Sequence, residues 1–210
     1  MEINKKYIIE TINEVLPKVK EISQLEFTLT NPNIILTNNI LNSFIFSFMD
    51  LDPRNFLIYY YHMKGGFAPF ENKFYFPKKS VQEDEFKETL AHEIMHFGQY
   101  SCFPFLREIL TPDKQIFMDD ESKAYNILLE GDACLIQERF KTKSKKIKIP
   151  TLAMKMIGNE HYKRFLQEKV GQVYTKGRKI LKDKFKDNRG DINELYHAPA
   201  KDLIKIFEIN

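Results

Sequence analysis

The stretch Ala91-His92-Glu93-Ile94-Met95-His96-Phe97 restricts what this chain can fold into more than any other part of it. It lies inside a helical pattern, predicted over Glu83 to Gln99, whose apolar side is Phe86, Leu90, Ile94 and Phe97. A helix sets residues four apart on one face, so both imidazoles can reach a single ion, and zinc accepts imidazole nitrogen readily. Glu93 is offset around the helix from His92. That offset suits contact with a water in an open position rather than ligation. The chain has only five histidines, at 62, 92, 96, 161 and 197, so a histidine-rich composition does not explain the spacing.

A catalytic zinc site needs a third protein ligand and leaves one position open. A second helix, predicted over Asp119 to Phe140, offers Glu121 and Glu130. Glu130 is the stronger candidate. It is flanked by the apolar run Ala124 to Ala133, where a carboxylate must be paired or bind a cation to offset its burial. Gly131 and Ala133 are small, which predicts close approach of this helix to the His92 helix. Asp132 is expected to orient a neighbouring group.

The rest of the chain predicts an α+β fold. Ile8, Ile9, Ile12, Leu16 and Val19 recur at helical spacing, while Leu25, Phe27 and Leu29 alternate with polar residues. Phe44 to Met49 is an apolar run, Phe56 to Tyr61 reads as a strand, and, after Gly65-Gly66, Phe67 to Pro77 reads as a hairpin whose prolines favour an edge position. Further helices are predicted over Leu152 to Glu168, Gln172 to Lys186 and Lys201 to Phe207. Eighteen Phe and ten Tyr argue against a disordered chain, and 210 residues suit one sizeable core. We read a single domain over 1–210, with a sheet-containing lobe over about 1–100 and a helical lobe over about 101–210.

Two cysteines, no signal-like opening and no long apolar run predict a cytoplasmic protein that does not insert into membranes. Residues 1–140 carry 14 Lys/Arg against 21 Asp/Glu, and residues 141–210 carry 18 against 8. The densest basic run, Lys141 to Lys148, lacks interleaved arginine and aromatic residues. It reads as a solvated linker, and nucleic acid is not expected as a partner.

His92, Glu93 and His96, with a glutamate 34 residues after His96 on a second helix, resemble the gluzincin zinc metallopeptidases. The words Leu90 to His96 with Gln99, then Leu129-Glu130-Gly131-Asp132-Ala133, are similar to a group of compact prokaryotic gluzincin-like proteins. The resemblance implies a zincin-like fold: a small N-terminal mixed sheet with a helix, the zinc-binding helix, and a helical C-terminal lobe. It also implies one zinc per chain held by His92, His96 and Glu130, with Glu93 as catalytic base. The substrate it implies is a peptide or protein, lying antiparallel to an edge strand at Gly66, Phe67 and Ala68. A donor to the developing oxyanion is expected from Tyr174, which opens a helix beside Gly177, or from His197 in a loop. The tail resembles the same group at Tyr174 to Gly177, Gly190, Leu195-Tyr196 and Pro199. It departs at Leu203-Ile204 and Glu208-Ile209, where the group carries threonine-glutamate and histidine-proline pairs. That departure keeps a second reading open, a metal-binding module of the same fold with little peptidase activity.

Overall fold

The computed structural model describes residues 5–37, 64–82, 85–111, 119–141, 151–165, 167, 173–186 and 188–209. The predicted run Phe44 to Met49, the strand Phe56 to Tyr61, His62 and the basic run from Lys143 to Lys148 lie outside the described residues.

Helix α1 (Lys5–Ser23) buries Ile8, Thr11, Ile12, Val15 and Val19, a stripe at three- and four-residue spacing, and carries Pro17 within it. Ile9, predicted to be on that stripe, is largely exposed. Leu25 and Phe27 are then buried while Glu26 and Thr28 are exposed, so the alternation holds, although no strand forms there. Strands β1 (Asn33–Thr37), β2 (Gly66–Ala68) and β3 (Lys73–Pro77) make a small mixed sheet. β3 is central, β1 runs parallel to it, and β2 pairs antiparallel, with Phe67 opposite Phe74. Asn72 closes the β2–β3 turn at a positive φ of 53°, a conformation asparagine tolerates.

Phe74 and Phe76 project from β3 into the core against helix α2 (Phe86–Cys102). Phe67 and Phe74 meet Phe97, with ring centroids 5.6 and 6.1 Å away, and Phe76 meets Phe86 edge-on at 5.3 Å. Such ring pairs each add about 1 kcal/mol beyond area burial. Sequence periodicity marks one apolar side on α2, but residues 88–100 are buried all round. The sheet covers one side and the helical half covers another, so the polar stripe Glu88, His92, His96 and Gln99 is enclosed as well.

After a short helix α3 (Leu106–Ile109) comes α4 (Asp120–Glu138), whose start is capped by Asp119 accepting from the Ser122 amide at 2.7 Å. Helices α5 (Thr151–Ile157) and α6 (Asn159–Phe165) divide the predicted Leu152–Glu168 helix at Gly158, which has φ +81°. They are followed by α7 (Gly177–Phe185), α8 (Arg189–Leu195) and α9 (Ala200–Ile206). α4 is the axis of this helical half, packing against α2, α7 and α9.

Gly131 works differently from its sequence reading. A Cβ there would lie 2.6 Å from the Gly177 carbonyl carbon, and one on Gly177 would lie 2.3 Å from the Ile127 oxygen. The small residue therefore admits α7, and not chiefly α2. Among the described residues no helix is long and apolar enough to cross a membrane.

Candidate metal centre

α2 and α4 lie side by side, and three side chains converge between them. His92 Nε2 and His96 Nε2 are 3.0 Å apart, and Glu130 Oε2 is 3.2 Å from the first and 3.3 Å from the second. Tetrahedral zinc with bonds of about 2.0–2.1 Å needs donors about 3.3–3.4 Å apart, so these three atoms outline one face of such a site. They are the only set of three or more His, Cys, Asp or Glu donors so clustered among the described residues. Glu121, the alternative third ligand, is exposed at the start of α4.

Buried lone pairs meeting at this distance require a cation or protons between them. Burial alone would lower the proton affinity of both imidazoles. For His92 the Cys134 side chain and Glu130 outweigh burial, and for His96 the Glu130 carboxylate does, so both rings are raised above their usual value. Burial would likewise raise Glu130, but the two imidazoles hold it far below the usual carboxylate range.

The constellation matches the gluzincin signature. It combines the His92-Glu93-x-x-His96 motif with a partly buried glutamate from a second helix, the donor set of a zinc-dependent enzymatic site. Comparisons with protein-family models, curated proteins and solved structures gave no match.

Glu93 is buried beside this gluzincin-type triad without being one of its donors. Burial raises its carboxyl above the ordinary range and Glu130 adds to the rise, while His92, His96 and the Phe67 amide oppose it. The Phe67 backbone amide that acts on Glu93 belongs to β2, one of the two edges of the sheet among the described residues. Gly66, Phe67 and Ala68 are all partly exposed. Tyr174 lies in a π-helical turn over 173–176, just before α7, and its half-exposed ring stacks on His92 at 6.1 Å. The Gly131–Gly177 crossing is what brings that turn so close. His197 is exposed, and its ring meets Phe103 at 5.4 Å; it is not one of the clustered donors.

Four further groups stand behind His96, and of these the sequence predicts an orienting role for Asp132 alone. Gln99 Oε1 is 2.8 Å from His96 Nδ1, and Gln99 Nε2 donates to the Leu129 carbonyl at 3.1 Å and to the Tyr196 hydroxyl at 2.7 Å. Tyr196 donates to Asp132 Oδ2 at 2.9 Å, and Arg189 donates to Asp132 Oδ1. Gln99 and Asp132 are fully buried, Tyr196 and Arg189 nearly so. Gln99 was legible as helical spacing, three residues past His96. Arg189 left no signal, because its partner lies 57 residues away.

Proposed function

We propose that the chain is a zincin-like metallopeptidase of one domain, hydrolysing peptide bonds with a single zinc held by His92, His96 and Glu130. The observation that carries this reading is Glu93: a buried carboxylate next to the triad, on the side of the backbone of an edge strand. A metal-storage or purely structural site has no use for an acid placed that way.

Bound zinc supplies Lewis-acid polarisation of a carbonyl and acidifies a water. Glu93 takes the proton of the attacking water and delivers it to the leaving nitrogen; its raised proton affinity suits it to both transfers. An extended peptide docks antiparallel to β2 along Gly66, Phe67 and Ala68. Tyr174 serves as the donor to the developing oxyanion, a role supported by the stacking of its ring on His92. His197, with its ring on Phe103, is the second candidate.

The altered tail favours the alternative, a metal-binding module with little peptidase activity. Leu203 and Phe207 are wholly buried, and α9 packs along α4, so this segment serves the core. Digestion of a diverse peptide library by wild type and Glu93→Gln separates the two readings. The enzyme reading expects cleavage by wild type and a loss of about 10²-fold or more in the variant, with zinc retained. Zinc-loaded wild type that cuts no peptide supports the module instead.

A further inference from the structure

Three acceptor atoms can serve a metal only if each imidazole presents a lone pair, and for His96 the surroundings dictate which nitrogen does so. The carbonyl of Leu129 can only accept, so the Gln99 atom facing it is the amide nitrogen. The other end of that amide is therefore the oxygen, which can only accept from His96 Nδ1. His96 Nδ1 must carry the hydrogen, and Nε2 is left with its lone pair toward His92 and Glu130.

Gln99 is itself held in that orientation. Its amide donates to the Tyr196 hydroxyl, whose own hydrogen goes to Asp132 Oδ2, and Asp132 is closed on its other oxygen by Arg189. Donors and acceptors run in one direction: His96 to Gln99, Gln99 to Tyr196, Tyr196 to Asp132, with Arg189 fixing the far end. Reversing the amide would set its oxygen against the Leu129 carbonyl, a repulsive contact in a buried place. His92 has no such relay among the described residues: its Nδ1 has no hydrogen-bond partner at normal distance, and the Cys134 side chain is what acts on the ring.

We infer that Gln99, Tyr196, Asp132 and Arg189 form a positioning relay through which helix α8 and the residue after it hold His96 in its metal-binding tautomer. The inference rests on His96 being a metal ligand and is independent of peptidase activity. It makes the C-terminal segment 189–196 part of the metal centre, although it supplies no ligand. It also distinguishes His96, whose tautomer the relay fixes, from His92, which the relay does not reach.

The test compares wild type, Gln99→Leu and Tyr196→Phe, the last of which keeps the ring that stacks on Phe103 at 4.4 Å. Imidazole nitrogen NMR of zinc-free protein, at alkaline pH where the ring is neutral, reads the tautomer of His96 directly. Wild type is expected to be Nδ1–H, and Gln99→Leu a mixture. Zinc affinity, by chelator competition, should fall by about 10- to 100-fold in Gln99→Leu and by less in Tyr196→Phe. The visible spectrum of the cobalt-loaded protein should change in both, which lost core packing alone would not do. If Gln99→Leu does not fold, Tyr196→Phe carries the test. An Nε2–H tautomer in wild type, or folded variants with wild-type affinity and cobalt spectrum, would overturn the relay. A wild type that binds neither metal would defeat the metal reading, and the tautomer measurement would still decide whether the relay orients His96.

Discussion

At the scale of single residues, adjacent positions have opposite fates. His92 and Glu93 are neighbours, yet one is a donor of the triad and the other a buried acid turned toward the sheet edge. Tyr196 and His197 diverge in the same way, one enclosed beside Asp132 and the other on the surface. Tyr174 differs from both because it touches the site through a ring face while keeping access to solvent. Tyr174→Phe retains that stacking and removes the hydroxyl. Turnover is expected to fall about 10- to 100-fold with zinc content unchanged, as measured by peptide hydrolysis beside metal analysis. An equal loss of zinc would mean that the residue serves the fold around His92 and not the reaction. The residues of the motif were legible because helix geometry converts a four-residue spacing into one face. Arg189 and Tyr196 were not, since nothing local marks which residues of a C-terminal segment turn inward toward Asp132.

At the scale of elements, the pairing of α2 with α4 was foreseeable from a lone carboxylate in an apolar helix. The role of Gly131 was not. Sequence shows that a close approach is needed, and only the packed structure shows that α7 makes it. Gly177→Ala would put a Cβ 2.3 Å from a backbone oxygen of α4, a contact that only movement of α7 relieves. We expect a loss of about 1–3 kcal/mol in urea unfolding, accompanied by reduced turnover as the Tyr174 turn moves from His92. The buried Tyr196 makes a prediction about pH. Burial, and after it the Asp132 carboxylate, raises its phenol well above the ordinary tyrosine value. A group raised in the folded state gives stability that is complete below its unfolded value, about 10, and lost as pH rises toward the folded one. Unfolding free energy should therefore decline above about pH 10, and Tyr196→Phe should flatten part of that decline. A decline of unchanged slope in the variant would assign it to other groups.

At the scale of the whole molecule, a sheet with an edge strand and a helical half meet at one helix, and the chemistry lies on that helix. The sheet sets Phe67 against Glu93, α4 sets Glu130 against the histidines, and the C-terminal segment holds the far side through Tyr196. The α+β class and the order of sheet before helices could be read from the change in hydrophobic period after residue 80. The parallel pairing of β1 with β3 could not, because the partners are 40 residues apart and nothing in either strand specifies direction. The most direct test of the metal centre is calorimetric titration of zinc into the zinc-free protein. Wild type and Glu121→Ala are expected to bind one equivalent, and His96→Ala and Glu130→Ala to bind far more weakly. Full binding by Glu130→Ala, with loss in Glu121→Ala, would contradict the assignment of the three ligands on which the rest depends.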